Sequence, residues 1–478
     1  MSYYAIVTQL KDVRPHPNAD RLQLATVFGN TICVDLSYTE GQVGVYFPTG
    51  GQLSVKFAEA NNLLRKKDAE GNNIGGYMDP DKRNVTAIKL RGEKSDGLFL
   101  PLTCLESFGD ISKLKAGDRI DVFNGEEICT KYIPKTQARR GGVYGGNHTR
   151  KHKDPIAPLF AEHADTEQLA YNLGAFKVGD ELEFTLKMHG TSQRTGHLKV
   201  LTGYKKTLWD KIFRRPGTPV YDWGYVSGTR RVVLDSFDGG FYGSNEFRKQ
   251  HHDNFVGKLW KGETVYYEVV GFTHTGAPIM GNGNNEKLGK EFVKQYGKET
   301  VFSYGCSPEE STTKLMYGED EYGKFAIETA TPNTKRSDIY VYRMTMTNED
   351  GEVVEYTPDF MRYRCEQIGV KCVPVFGKAT LSSDRLHFTA KDGHDHDYLI
   401  GDGELGDMVM RCAEDYFDGP DPVGKTHIRE GVVVRIVNRP KFTALKHKNF
   451  SFKCLEGLCQ AQLAESTEEI ADDVLAEM

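Results

Sequence analysis

The sequence predicts an α+β protein, with a small β-barrel first and then a larger domain in which strands and helices alternate irregularly. Three observations carry that reading. Residues 1–126 break into short runs rich in Val, Ile, Phe and Tyr, bounded by Gly, Asn, Asp or Pro. From about residue 174 to 455 the strand and helix patterns interleave without an internal repeat. At 478 residues the chain exceeds one ordinary core, which sets an expectation of two or three domains.

Taken in order, the barrel rests on AIVTQL, LQLATVF, TICVDL, VGVYF and RIDVF, five strand-length runs that suit a small closed sheet. His16 to Asp20, HPNAD, supplies good turn residues between two of them. Residues 127–160 read as a basic linker, because 131–153 hold seven Lys or Arg and no acid, with two Gly-Gly pairs. Such a stretch suits a phosphate backbone and equally a solvated connector. A helix is expected at 165–173, capped by Asp165 or Thr166 and ended by Gly174. The second domain then runs over 161–455, and 456–478 form an acidic tail, with seven acids and no Lys or Arg in the last 25 residues. That tail has the composition of a solvated segment, with an amphipathic helix as the alternative.

Composition excludes several classes. No run of 18 apolar residues is present, so no transmembrane helix is expected. The N-terminus lacks the basic, apolar and small-residue succession of a signal peptide. Nine dispersed cysteines without a CxxC pair fit reduced thiols, so a cytoplasmic protein is expected. The net charge of -6 does not by itself announce a nucleic-acid binder.

The chemistry concentrates in four separated segments. Lys187 follows the strand-like ELEFTL and opens KMHGTS, where Gly190 permits a sharp turn and backbone amides, Thr191 and Ser192 are available to phosphate or sugar oxygens. To act as a nucleophile Lys187 must shed its proton, which neighbouring cations favour. Glu268 interrupts the apolar run VYYEVVG, where an unpaired carboxylate is costly to bury. Glu430 opens the apolar GVVVRIV, and Lys446 and Lys448 stand two apart in ALKHKNFSF, on one face of a strand. One amine, two carboxylates and two further lysines suit chemistry on a polyphosphate. Each position alone has an ordinary salt-bridge explanation; their joint occurrence argues against it.

Three other segments carry weaker signals. GPDPVGKT (Gly419 to Thr426) matches a P-loop by letter, but neither an apolar strand before it nor a helix after it is expected. HDHD (His394 to Asp397) reads as a polar loop, and GNGNN (Gly281 to Asn285) as a loop without a dinucleotide fingerprint.

The ordered set resembles the covalent nucleotidyltransferases, and within them the ATP-dependent RNA ligases of the nick-sealing type. KMHGTS, VSGTRRV, EVVG, SDIYVYRMT, EGVVVR and LKHKNFSF follow that family's motif order across most of 160–455. HPNADRLQLATV resembles the opening of a tRNA-binding OB-fold. The resemblance implies an N-terminal OB-fold barrel followed by a mixed antiparallel α+β adenylyltransferase domain. It implies that Lys187 takes AMP from ATP, releasing pyrophosphate, and passes it to an RNA 5′-phosphate, which a 3′-hydroxyl then attacks. It assigns Arg230 to the nucleotide sugar or RNA phosphate, Tyr342 to the adenine face, and Gly190 to the nucleotide turn. Glu268, Glu430 and His189 would hold Mg2+ or Mn2+, and Lys446 and Lys448 would neutralise the α-phosphate. His189 stands where many relatives carry aspartate, and Tyr342 where phenylalanine is common. The implied partner is RNA with 3′-hydroxyl and 5′-phosphate ends, a nicked duplex among the options. The competing readings are an mRNA-capping guanylyltransferase, a DNA ligase and an inactive RNA-binding scaffold.

Overall fold

The computed structural model describes residues 3–67, 73–132, 155–164, 166–274 and 337–449, apart from 214, 216, 239–244, 402 and 424–428. It also describes Ile279, the pairs 318–319 and 325–326, Phe452 and Cys459–Gln460. The basic Gly-rich stretch over 133–153, GNGNN and the acidic residues after 460 lie outside the described residues. The chain divides into two compact units, one made of Met1–Arg139 with Phe450–Met478 and the other of Arg140–Asn449.

In the first unit, short runs rich in apolar residues, mostly buried, build two small antiparallel sheets. One has the order Leu98–Pro101, Val43–Phe47, Ala5–Gln9, Arg119–Ile120, and the other joins Lys11–Pro15, Leu22–Val27 and Asn30–Asp35. Val7, Leu24, Val45, Phe47 and Leu100 meet in one core, into which the short helix Val55–Ala60 inserts Phe57. RIDVF does not form one strand. Arg119–Ile120 and Val122–Phe123 pair with different partners, because the Asp121 carbonyl between them accepts from the amides of Ile128 and Cys129. The buried His16 accepts from the Asn18 amide at 3.0 Å and has its Nε2 3.2 Å from the Leu90 carbonyl, so the HPNAD turn is a structural device. Cys459–Gln460 pair in parallel with Ala87 and Ile88, which brings this dipeptide into the unit.

The second unit holds two seven-stranded sheets. We label its strands β1 (Glu167–Gln168), β2 (Glu181–Leu186), β3 (Thr191–Lys205), β4 (Thr218–Gly228), β5 (Val233–Leu234), β6 (Glu263–Gly271), β7 (Ser337–Thr347), β8 (Val353–Glu355), β9 (Val375–Leu381), β10 (Arg385–Ala390), β11 (Asp395–Leu399), β12 (Gly431–Ile436) and β13 (Thr443–Lys448). Its helices among the described residues are α1 (Leu208–Ile212), α2 (Glu246–Asp253), α3 (Pro358–Ile368) and α4 (Leu405–Phe417). The first sheet has the order β1-β13-β12-β2-β9-β10-β11, and the second β5-β4-β3-β6-β7-β8 with Lys371–Cys372 added beside β7. Pairing is antiparallel except at β1 with β13 and at Lys371–Cys372 with β7.

The strand β6, ETVYYEVVG, shows how the site is held. Val265, Tyr267 and Val269 enter a core with Phe247 of α2, Ile339, Val341 and Met344 of β7, and Met361, Cys365 and Ile368 of α3. Period-two alternation then sends Glu268 to the opposite face. The helix α3 is well defined locally: Thr357 caps it by accepting from the Phe360 amide, Pro358 starts it, and Gly369 ends it at φ 82°.

Two expectations need correction. Instead of the helix expected at 165–173, the described residues 166–173 hold β1, one short 3-10 turn and the start of a second, because Glu167 and Gln168 pair with Leu445 and Lys446 while Leu169 and Ala170 are buried. Pairing with β13 outcompetes the local helical pattern. HDHD is not a loop but the start of the edge strand β11, in which Asp397 bonds to His387 of β10 at 2.7 Å. GPDPVGKT is followed by β12, and no helix opens after it among the described residues. No helix among the described residues is long and apolar enough to cross a membrane.

Candidate active site

Lys187 leaves the end of β2, and its amide donates to the Gly431 carbonyl at 3.0 Å, which ties the start of KMHG to the start of β12. That backbone bond sets Glu430 beside the amine, and the Lys187 ammonium forms an ion pair with Glu430 Oε1. Lys448 of β13 approaches the same oxygen at 3.0 Å, and His189 Nδ1 lies 3.2 Å from Oε2. The register of β12 against β13, Gly431 opposite Lys448 and Val433 opposite Lys446, delivers both lysines to this end of the sheet.

The opposing sheet contributes Glu268. Ser192 faces it across the β3–β6 pair and donates to Oε2 at 3.1 Å. Gly190 is required here for space. A Cβ at this position would fall 2.3 Å from the Val269 carbonyl oxygen and 2.8 Å from Glu268 Cγ, so the nucleophile loop rests directly on β6. Lys187, His189, Glu268, Glu430, Lys446 and Lys448 are therefore drawn into one neighbourhood by two sheets.

Charge is unevenly distributed. Burial alone would raise the Glu430 carboxyl, but Lys187, Lys448 and His189 hold it well below the usual carboxylate range. Glu268 behaves oppositely. Burial pushes it up to about 7, Glu430 adds to the rise, and Lys187, Ser192 and Arg248 only partly offset it. Burial also brings Lys446 down to about 7, reinforced by Lys187, Lys448 and Arg230. The site thus holds one firmly ionised carboxylate, with one carboxyl and one amine that both titrate near pH 7.

Arg230 lies between β4 and β5, and its charge reaches both Lys446 and Tyr342. Tyr342 packs against Leu186, Met188, Tyr340 and Val373. It is the extra residue of a β-bulge, since β6 pairs Tyr266 with Arg343 and Tyr267 with Val341. The bulge turns Tyr342 toward the site, where its ring lies 5.1 Å from that of His163.

Three residues here carry no signal in the sequence. His163 covers Tyr342 and donates its amide to the Arg230 carbonyl at 3.3 Å. Arg194 is buried over Phe160 and donates to the Arg230 carbonyl at 2.6 Å. Arg248, buried on α2, donates to Thr191 Oγ1 at 2.6 Å and to the Ser192 carbonyl at 3.1 Å. Thr191 and Ser192, expected to face phosphate or sugar oxygens, thus bond to Arg248 and Glu268 in this structure.

The carboxylates of Glu268 and Glu430 are the oxygen donors that a hard divalent cation which also binds phosphates would use. Among the described residues no group of three or more His, Cys, Asp or Glu forms a metal cage by itself. The fit is therefore to a cation completed by a phosphate ligand. Glu268 favours it further, because a cation would restore the ionised form that burial disfavours.

Neither a family model nor a curated protein sequence matches this chain. Solved structures do. A variant of the Naegleria gruberi RNA ligase with ATP and Mn is similar at TM-score 0.51 and 16% identity, over 95% of this chain and 98% of that one. A second variant of the same ligase, also with ATP and Mn, gives 0.50 and 15% over 96% and 99%. A third with the same ligands gives 0.50 and 15% over 95% and 99%. The chain shares the fold of that RNA ligase, a mixed α+β architecture dominated by antiparallel sheets.

Proposed function

We propose that this protein is an ATP-dependent RNA ligase that joins 3′-hydroxyl and 5′-phosphate ends through a lysyl-AMP intermediate. The observation that carries the reading is the Lys187–Glu430–Lys448 cluster facing Glu268 across the Gly190 contact. A solvated surface lysine would not be clamped between two sheets by two acids and a second amine. The similar Naegleria gruberi ligase structures contain ATP and Mn, and we read this pocket as taking the same pair.

In the proposed reaction Lys187 first releases its ammonium proton to solvent, and Nζ then attacks the α-phosphorus of ATP, losing a second proton as the phosphoramide forms. A P–N bond forms, the P–O bond to the β-phosphate breaks, and pyrophosphate leaves. Lys446 and Lys448 stand where negative charge grows on the α-phosphate, and a phosphate beside Lys446 would draw its amine back to the charged form. Tyr342 would stack on adenine, and Arg230, whose carbonyl accepts from Arg194, would contact the sugar or a phosphate. Glu268, Glu430 and His189 would hold Mg2+ or Mn2+, which would supply charge neutralisation on the transferring phosphate. AMP then passes to the RNA 5′-phosphate, and the 3′-hydroxyl displaces it. We further read residues 1–126 as an OB-type module, 127–160 as a linker whose start, Cys129–Lys131, pairs with Gly51–Leu53, 161–455 as the adenylyltransferase and 456–478 as a tail whose Cys459–Gln460 pair with Ala87–Ile88.

The test is strand joining with full-length protein. Nicked and single-stranded RNAs bearing a 5′-phosphate should be sealed with ATP, and replacing the terminal 3′-ribose by deoxyribose should slow sealing. Labelling by GTP in preference to ATP would point to a capping guanylyltransferase, and indifference to the 3′-sugar to a DNA ligase. Failure to consume either nucleotide would leave an RNA-binding scaffold.

A further inference from the structure

Beyond Gly196, where pairing with β6 ends, β3 and β4 continue as a two-stranded ribbon tipped by α1. β3 starts at Thr191, close after the nucleophile, and reaches Lys205, so about 45 Å of strand separates the tip from the site. At the tip Trp209 is 67% exposed and Phe213 58% exposed, with their rings near-parallel (9°) and 5.8 Å apart. Two large rings held open to solvent at the end of an arm mark a contact surface.

The charge around them selects the partner. Lys205, Lys206, Lys211 and Arg215 are all exposed, and Arg215 lies 5.7 Å from the Phe213 ring. Asp210 is the one acid among the described tip residues, and its carboxylate accepts from the Thr207 amide and hydroxyl, closing the capping box of α1. An apolar protein face would match the rings but leave the cations unanswered. A nucleic-acid strand matches both, with bases on the rings and phosphates on the cations.

The same pattern recurs nearer the site. Cross-strand pairing sets Lys199 beside Trp223 and His197 beside Tyr225 on one face of the ribbon. Lys199 and Lys261 lie 4.8 and 5.5 Å from the Trp223 ring, and His197 stacks on Tyr225 at 4.3 Å. The opposite face is core, with Leu198 and Val226 buried beside Phe160.

We propose that the β3–β4 ribbon is an RNA-holding arm that grips an unpaired stretch of strand remote from the nucleophile, stacking its bases on Trp209 and Phe213. The proposal takes the identity of the strand from the ligase reading, but the binding itself does not depend on that reading. The test is fluorescence anisotropy of labelled 30-nucleotide single-stranded and fully duplex RNAs with the full chain, without ATP. Trp209→Ala/Phe213→Ala should weaken single-strand binding about tenfold, within the range that stacking contacts provide, and duplex binding less than twofold. Lys206→Ala/Lys211→Ala should reduce the slope of log K against log salt by about 1.4, two phosphate contacts on a single strand. Both variants should keep the wild-type melting temperature, since every altered side chain is exposed. Unchanged single-strand affinity in Trp209→Ala/Phe213→Ala overturns the proposal. So does a changed sedimentation coefficient with intact RNA binding, which would make the tip a protein interface. Because the assay contains no nucleotide, a protein that binds RNA through Trp209 yet never forms lysyl-AMP would refute the ligase reading and leave the arm standing.

Discussion

Replacing Gly190 by alanine tests whether the nucleophile loop works by close approach to β6. The added Cβ would lie 2.3 Å from the Val269 carbonyl oxygen, 2.8 Å from Glu268 Cγ and 2.9 Å from Val270 Cγ1. Ordinary contact begins near 3.4 Å, so loop and strand must part by roughly 1 Å. The strand cannot yield cheaply, because β6 is paired to β3 on one side and β7 on the other, with Glu268 opposite both Ser192 and Tyr340. Overpacking of this kind costs about 1–3 kcal/mol of stability. Its larger effect falls on geometry, since a displacement of about 1 Å between reacting groups costs on the order of a hundredfold in rate. The assay is the initial rate of self-labelling by α-labelled ATP, with a urea titration on the same sample. The expected result is a rate loss of about a hundredfold in a protein that remains folded. A Gly190→Ala protein with the wild-type rate would refute the close-approach argument.

Further consequences follow from the same pocket. Glu430→Gln leaves Lys187, Lys448 and His189 without their shared anion, so a loss of about 3 kcal/mol is expected by urea denaturation, near the low end for a broken buried pair because both lysines retain some solvent. The two shifted groups should bend stability against pH in opposite senses. Glu268 holds its proton in the folded protein up to about pH 7, above the ordinary 4.5, so its contribution is complete below pH 4.5 and is lost as pH rises to about 7, by at most about 3 kcal/mol. Lys446 is depressed from 10.5 to about 7, so its contribution is complete above pH 10.5 and is lost as pH falls toward 7. Urea midpoints measured from pH 5 to 10 should therefore dip near pH 7, with Glu268→Gln flattening the acid limb and Lys446→Met the alkaline one. Arg248→Lys cannot span Thr191 Oγ1 and the Ser192 carbonyl together, and self-labelling should slow about tenfold, the cost of one buried bond left unmade.

What was legible in the sequence was charge placed against an apolar background. Glu268 within VYYEVVG, Glu430 before GVVVRIV and Lys446/Lys448 in β13 stand out because a strand core tolerates such groups only for a reason, and all converge near Lys187. The buried arginines were invisible for the converse reason. Arg248 sits in EFRKQHHD, which reads as a solvated helix face, and only the fold turns it inward onto Thr191 and Ser192. His163 gains its place over Tyr342 from a segment without periodicity, and Tyr342 itself depends on a bulge that alternation cannot announce. The misread helix over 165–173 and the HDHD loop share a cause, since β1 and β11 owe their conformation to the neighbouring strands β13 and β10.

One covalent bond, between Lys187 and AMP, is central to the proposed chemistry. Full-length protein incubated with α-labelled ATP and Mg2+ or Mn2+ should acquire one acid-stable label, and peptide mapping should place it on Lys187. Lys187→Ala should acquire none while retaining its fold. Label on a peptide that lacks Lys187, or persistence of labelling in Lys187→Ala, would contradict the account.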